Sequence, residues 1–296
     1  MDNAAHAESL GHEVYRTPLV VRPEFEFRTT PANYRLGYVQ ERKLPDQMKV
    51  WRVQNSPKGN VVAWGSGFED SPDAEIIALG LNRAKRYGDV GIGRQGNVLQ
   101  WGYGDPPSRM TEAGRRLFIN CIHYIHRFDG RPPLVRRECE ARLNALRWAP
   151  AEKGATQQKL AFRGTYPQDV MRKYQGRSDE LNDYYVKNLE LLYWDQGFRV
   201  DDDLRLLGLE SNRKVDTLLR LIELLNDSQR AATARKLLDR YTDRAFETSQ
   251  QWRHWFDENE DQVFFSDVGG YKFFVVPEGY LIGPDRETAT GQPPSR

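Results

Sequence analysis

The alternation of hydrophobic and polar positions divides the chain into a strand-rich first part and a helical second part. Residues 47–54 (QMKVWRVQ) follow the two-residue period of a half-buried strand, and VVAWG at 61–65 is a second short apolar run. The runs DVGIG and NVLQWGYG are separated by Arg94, Gln95 and Gly96. A glycine-containing gap of this length between two strand-like runs predicts a tight hairpin.

From Thr111 onward the apolar positions take the period of a helix. They recur every three or four residues, at Leu117, Phe118, Cys121, Ile122, Ile125 and Phe128. This spacing predicts one amphipathic helix that ends at Asp129 and Gly130. Pro132 and Pro133 follow at once and predict a domain boundary.

The chain beyond the prolines is predicted to be mainly helical. Helix-like patterns cover 135–148, 178–194, 212–227 and 228–242. The last two predict a helical hairpin that turns at Asn226–Ser228, in the manner of a single HEAT-type unit.

Aromatic residues dominate the last patterned segment. Two strand-like runs on either side of Gly269 and Gly270 predict a second hairpin, packed on a helix that carries Trp252, Trp255 and Phe256. The hydrophobic pattern therefore predicts four regions: an extended N-terminal arm over 1–45, an α/β module over 46–131, a helical module over 132–282 and a disordered tail over 283–296.

Composition and charge exclude several classes of partner. Lys and Arg total 43 against 42 Asp and Glu, a formal net charge of +1, so no overall field favours nucleic acid or an anionic membrane. The start of the chain lacks a secretory leader and no run approaches the length of a membrane span. We therefore expect a soluble, cytoplasmic protein, or an extracytoplasmic one if an upstream leader has been lost. The expected partner is a protein or a carbohydrate.

The acidic stretch GFEDSPDAEIIALGLN (67–82) is the most distinctive polar motif. Ser71 as N-cap and Pro72 at the first helical position, with Asp73 and Glu75 in the first turn, predict a short helix over about 72–83. Glu69 lies ahead of this cap, as does Asp70, and capping does not explain either of them.

The candidate site residues follow from this stretch and from the hairpin. Glu69, Asp70 and Asp73 are candidates for catalytic acids, bases or metal ligands, although the spaced acids and central Gly of a calcium loop are absent. Candidates for ligand binding are Arg94, Asn97 and Trp101, and Arg94 is predicted to pair with Glu69 or Asp70.

Other motifs have simpler structural interpretations. GIGRQGN lacks the spacing of a nucleotide-binding loop and leads into a strand-like run. His123 and His126 flank the apolar helix face, where Cys121 itself lies. Cys121 and Cys139 are too few for a disulfide framework or a four-thiolate zinc site. We predict no cofactor and no metal.

Three segments carry a resemblance to known proteins. GFEDSPDAE, GRQGNVLQWG and FFSDVGGYKF are similar to segments of uncharacterised bacterial proteins. The portion from Val61 to Phe128 resembles the last third of a ThuA-like or class I glutamine amidotransferase-like domain, in which a strand pair precedes a helix. This resemblance implies part of a flavodoxin-like layer of parallel strands.

The same resemblance implies a site that this chain lacks. A class I amidotransferase uses a Cys in a G-x-C-x-G turn, and neither Cys121 nor Cys139 has that context. We therefore expect a non-catalytic binding or scaffold protein with a degenerate amidotransferase-like module. The alternative is a hydrolase or sugar-modifying enzyme that uses Glu69, Asp70 and Asp73.

Overall fold

The protein is a mixed α/β chain that divides into two compact units. The computed structural model describes residues 3–36, 43–57, 62–65, 67–148 and 164–281. Unit 1 comprises Met1–Glu69 and Asp73–Leu134, and unit 2 comprises Asp70–Pro72 and Val135–Arg296. The tail predicted over 283–296 lies outside the described residues.

Unit 1 contains two small antiparallel sheets. Its elements are β1 (Ala4–His6), β2 (Phe25–Thr29), β3 (Gln47–Arg52), β4 (Ala74–Leu79), β5 (Val90–Gln95), β6 (Val98–Trp101) and α1 (Glu112–Ile125). The strand orders are β1-β3-β2 and β4-β5-β6. Every strand pair in the described residues is antiparallel, so the parallel flavodoxin-like layer is not found among them.

The hairpin and the amphipathic helix are confirmed, but Ile122, predicted on the apolar face, is 48% exposed because the buried face is turned toward Asn120 and Tyr124. β5 and β6 pair with Gln95 opposite Val98, and Gly96 in the turn has φ +51°. The Thr111 hydroxyl accepts the Gly114 amide and caps α1, whose face toward the core buries Leu117 and Cys121. The helix ends at Ile125 and continues to Phe128 as a 3-10 turn.

The helix predicted over 72–83 is wrong, because Ala74–Leu79 forms strand β4. β4 pairs with β5 and places Glu75 opposite Arg94. Ile77 and Ala78 are fully buried. The local sequence favours a helix, but pairing and burial against the rest of unit 1 override that propensity.

The first residues of the chain, predicted as an arm, contribute to both the sheet and the helix packing of unit 1. β1 and β2 flank β3. The Asn120 amide on α1 donates to the carbonyls of Val14 and Leu19, at 2.6 Å each, and the Leu19 amide donates back to Asn120 Oδ1. These bonds fix residues 14–19 against α1.

Unit 2 is mainly helical, with two β-hairpins. Its elements are α2 (Leu143–Trp148), α3 (Gln168–Lys173), α4 (Ser178–Lys187), β7 (Leu192–Trp194), β8 (Phe198–Val200), α5 (Asp202–Leu206), α6 (Val215–Leu224), α7 (Ala231–Tyr241), α8 (Ser249–Asn259), β9 (Val263–Ser266) and β10 (Lys272–Val275). The pair α6 and α7 corresponds to the predicted helical hairpin.

Two of the predicted helices are shorter than the pattern indicates. Only 143–148 of the segment 135–148 is helical. The segment 178–194 is helical to Lys187 and then ends as strand β7, because Leu192 pairs opposite Val200 and is fully buried. Short apolar runs fit a helix and a strand equally well, so the pattern alone does not separate them.

The aromatic hairpin is confirmed. β9 and β10 pair antiparallel, and Gly270 in the turn between them has φ +96°. Trp252 and Phe256 on α8 share one buried cluster with Phe273 of β10, as the aromatic spacing predicts. These aromatic rings therefore form core and are not an exposed stacking platform.

Candidate functional site

The three predicted acids do not converge on one site within either unit. Glu69 is exposed and belongs to unit 1, as does the buried Asp73, whereas Asp70 belongs to unit 2. Asp73 Oδ2 accepts the Leu134 amide at 2.9 Å. Asp73 therefore ties the end of unit 1 to the start of β4 and does not cap a helix.

Asp70 lies against the turn of the aromatic hairpin. Its Oδ2 accepts the Val268 amide at 3.0 Å. Burial and the negative charge of Asp267 raise the pKa of Asp70 from its ordinary value of 3.8 to about 6. A carboxyl with this pKa is able to give or take a proton near neutral pH.

We expect Asp70→Asn to stabilise unit 2 at pH 7.5 and not at pH 4. The folded protein binds the Asp70 proton more tightly than the unfolded chain does, so the ionised carboxylate lowers stability above about pH 6. This cost disappears as the pH falls from about 6 to about 4. The Asn oxygen still accepts the Val268 amide, and the expected gain at pH 7.5 is about 1 kcal/mol or more.

Thermal unfolding of Asp70→Asn and the wild type across pH 4–8 measures this effect. Asp257→Asn is the control, because Asp257 is half exposed in an ion pair with Arg253 on α8. A variant that is less stable than the wild type at pH 7.5 would contradict the burial and repulsion assigned to Asp70.

Arg94 pairs with Glu75, an acid that was not predicted as its partner. Arg94 Nε donates to Glu75 Oε1 at 2.6 Å across the β4–β5 ladder. The guanidinium is only 1% exposed and lies 3.6 Å from the centre of the Phe128 ring. The register of β4, which the sequence pattern did not predict, brings these two side chains together.

Glu75 is the centre of a polar cluster in unit 1. It accepts the Tyr124 hydroxyl at 2.5 Å and lies 3.3 Å from His12 Nε2. His12 Nδ1 accepts the Val14 amide, so Nε2 carries the proton that faces Glu75. Burial by itself raises the pKa of Glu75, but the bonds from His12, Arg94 and Tyr124 outweigh burial and lower that pKa to about 2. Glu75 is therefore ionised throughout the neutral range.

The other two predicted ligand-binding residues have structural contacts. The Asn97 amide donates to the Arg131 carbonyl at 2.7 Å in the hairpin turn. The Trp101 ring is half-buried and packs edge-on against Phe118 and Tyr103.

Both thiols are buried and poorly suited to nucleophilic chemistry. Burial and the nearby Glu75 charge raise the pKa of Cys121 to about 12. Burial also raises the pKa of Cys139 to about 12, and its Sγ donates to the Asp267 carbonyl at 3.0 Å. At neutral pH both side chains are thiols, whereas the thiolate is the reactive form.

A charged cleft in unit 2, which the sequence did not predict, has the dimensions of a ligand site. Its volume is about 310 Å³, and its lining residues are Asp169, Val170, Tyr184, Tyr193, Arg199, Val200, Asp201, Asp202, Asp203, Lys236 and Arg240. This volume lies at the lower end of the range for small-molecule sites. We call it the unit 2 cleft.

Asp201 and Arg240 form the inner part of the unit 2 cleft. Asp201 is 1% exposed, and its Oδ1 accepts the amides of Asp203 and Leu204 as the N-cap of α5. Its Oδ2 accepts Arg240 and the Tyr241 hydroxyl. The Arg240 guanidinium lies 4.5 Å from the centre of the Tyr193 ring. The pair is thus fixed from several sides.

The rim of the unit 2 cleft presents both signs of charge. Lys236 pairs with Asp203 at 2.7 Å, and Arg199 lies 3.6 Å from Asp169. Burial raises the pKa of Tyr184 and also that of Tyr193, so both hydroxyls remain protonated. Donors, acceptors and two aromatic rings therefore surround the same small volume.

Neither metal or membrane features of the described residues nor comparison with known proteins points to a particular class of function. Among the described residues, no group of three or more His, Cys, Asp or Glu side chains is placed to hold a metal ion. Within the same ranges, no helix has the length and apolarity needed to cross a membrane. The chain matches no protein-family model, no curated protein and no solved structure.

Proposed function

We propose that this protein is a non-catalytic binding protein whose unit 2 cleft takes a small carbohydrate. The observation that carries the proposal is the combination of a fixed Asp201–Arg240 pair with the Tyr193 ring in one 310 Å³ cleft. Sugar hydroxyls both donate and accept, and charged groups make the stronger hydrogen bonds to them. The apolar faces of sugar rings pack on aromatic side chains.

The charge pattern of the unit 2 cleft supports a neutral ligand over a strongly charged one. Four carboxylates and three cationic side chains line it, and several of them pair with each other. A strongly charged ligand would meet repulsion from one of these sets. A neutral polyhydroxylated ligand is able to bond to both.

We further propose that unit 1 is a degenerate amidotransferase-like module of the ThuA-like kind. The order of the β5–β6 hairpin followed by α1 supports this, since the end of such a domain has a strand pair and then a helix. The buried, protonated Cys121 on α1 is consistent with a module that does not act through a thiol. The parallel layer of a flavodoxin-like fold is not part of this proposal, because the described strand pairs of unit 1 are antiparallel.

The competing function is a hydrolase that uses Asp70 as acid or base. The raised pKa of Asp70 favours it. Against it, the Asp70 carboxylate accepts the Val268 amide inside the hairpin turn, and Asp73 is bonded to Leu134. These two bonds conflict with a catalytic role for the acids, whereas they do not conflict with the binding function.

Calorimetric titration of the full chain with a panel of mono- and disaccharides tests the proposal. We expect at least one sugar to bind and to raise the thermal midpoint. Arg199→Gln, at the rim of the cleft, is expected to weaken that binding about tenfold, the usual effect of losing one charged hydrogen bond. Arg220→Gln, exposed on α6 and outside the cleft, is the matched control.

Two results would overturn the binding proposal. One is that no sugar in the panel binds or shifts the midpoint of the wild type. The other is that Arg199→Gln and Arg220→Gln bind the sugar equally well, which would place its site elsewhere.

A further inference from the structure

Strand β2 ends the first sheet of unit 1 without a neighbour on its outer side in the part of the chain that the structure describes. The sheet order is β1-β3-β2. The opposite edge is continued, because Ala5 of β1 bridges to Gly80 and the Leu81 amide donates to the Ala4 carbonyl. An open edge strand offers backbone amides and carbonyls to another strand.

Two of the five side chains of β2 are exposed phenylalanines. Phe25 is 41% exposed and Phe27 is 66% exposed. Natural edge strands are normally protected by charges, prolines or bulges. Here Lys49 lies over the Phe25 ring at 4.2 Å, while β2 itself is a regular five-residue strand without a bulge in its pairing with β3. The edge is thus suited to pairing.

We propose that β2 is the contact to a second copy of this chain, paired antiparallel with the partner's β2 about Phe27. In this register Phe27 lies opposite the partner's Phe27. Glu26 lies opposite the partner's Arg28, and Phe25 lies opposite the partner's Thr29. The two β2 strands join two sheets into one of six strands.

Charge complementarity selects this register. Glu26 and Arg28 lie on the same face of β2, and within one chain Arg28 Nε donates to Glu26 Oε1 at 2.7 Å. Antiparallel pairing about Phe27 brings each of them against the opposite charge of the partner. The two copies then form one cluster of alternating charges.

Other registers of the same two strands are unfavourable. A shift of two residues in one direction sets Glu26 opposite the partner's Glu26, and in the other direction it sets Arg28 opposite the partner's Arg28. A shift of one residue moves the partner's phenylalanines to the other face of the sheet. In-register parallel pairing also opposes like charges. The sequence FEFRT is therefore complementary to itself in one antiparallel register.

The expected association is weak, because five residues of one strand bury less surface than a stable dimer normally does. We expect a monomer–dimer equilibrium with a Kd of about 10–100 µM. Sedimentation equilibrium of the full chain over a range of concentrations measures it.

Charge reversal separates this interface from nonspecific association. Glu26→Arg places Arg opposite the partner's Arg28, and Arg28→Glu places Glu opposite the partner's Glu26. Each variant alone is expected to dimerise about tenfold more weakly than the wild type. An equimolar mixture of the two variants restores complementary charges and is expected to regain association. Glu223→Arg, on α6, is the matched control and is expected to dimerise as the wild type does.

The mixture also distinguishes the loss of a contact between two copies from a folding defect in either variant. Arg28 donates to Asn3 Oδ1, so each variant is first shown to be folded by circular dichroism. Phe27→Ser, which changes an exposed side chain, gives an independent variant expected to lose the dimer. The proposal is overturned if the wild type stays monomeric at high micromolar concentration. It is also overturned if the single variants dimerise like the wild type, or if their mixture associates no better than either alone.

Discussion

Replacing Asp267 by Ala is expected to lower the free energy of unfolding of unit 2 by about 3–5 kcal/mol. Asp267 accepts Arg142 Nε at 2.9 Å, and a second guanidinium nitrogen donates to it at 2.6 Å. Arg142 is 2% exposed, so the variant leaves a charged guanidinium buried without its hydrogen-bonded counter-charge. Breaking a buried ion pair by removing one partner has a cost of this size.

The structural consequence of this loss is expected to spread through unit 2. Arg142 also donates to the Leu189 carbonyl and to Asn212 Oδ1, so one side chain links three segments of the unit. The Arg142 backbone amide itself donates to Asp267. We therefore expect faster amide hydrogen exchange over α2, β7 and the aromatic hairpin together.

Urea denaturation combined with hydrogen-exchange mass spectrometry measures the effect of Asp267→Ala. Glu223→Ala, which breaks an exposed pair with Arg220 on α6, is the control and is expected to change stability by less than about 0.5 kcal/mol. A loss below about 1 kcal/mol in Asp267→Ala, or one equal to that of the control, would contradict the role of this pair.

Elements that depend on local pattern were predictable from the sequence. The helix α1 has an N-cap at Thr111, an apolar face and a glycine after its end, all of which are short-range signals. The hairpins at Gly96 and at Gly270 have glycines with positive φ where the turns require them. These features need no knowledge of what the element packs against.

Strand β4 shows where local signals fail. Its sequence, AEIIAL, has good helix formers, and the preceding Ser-Pro-Asp has the composition of a helix start. In the structure the Asp73 carboxylate bonds Leu134, 61 residues away, and Glu75 bonds Arg94 on the neighbouring strand. Acids that satisfy distant partners have the same sequence signature as acids that cap a helix.

The sequence did not identify the contacts of the candidate sites, because these contacts also join residues that are distant along the chain. A buried arginine requires an acidic partner, so a pairing of Arg94 with some acid is expected. Which acid this is depends on the register of β4 against β5. The unit 2 cleft gathers side chains from α3, β8, α5 and α7, which are far apart in the sequence. Of these residues, only Asp201 is recognisable from its local sequence, as the N-cap of α5.

The stability of unit 1 is expected to fall by about 3 kcal/mol in acid through the protonation of Glu75 alone. Its pKa is about 2 in the folded protein against an ordinary value of 4.5, so the folded state binds this proton less tightly than the unfolded chain. The contribution is present in full above about pH 5 and is lost as the pH falls toward 2. About 2 kcal/mol of it is lost by pH 3.

Glu75→Gln removes this dependence and isolates it from that of other carboxylates. The variant keeps a polar side chain beside Arg94 but leaves that buried guanidinium, 1% exposed, without its counter-charge. We therefore expect the variant to be less stable than the wild type by about 3 kcal/mol at pH 7 and by about 1 kcal/mol at pH 3. Hydrogen exchange in β4 and β5 at both pH values measures the difference within unit 1. With Glu223→Gln as the control, a deficit of equal size at pH 7 and at pH 3 would show that Glu75 is not held ionised by Arg94, His12 and Tyr124.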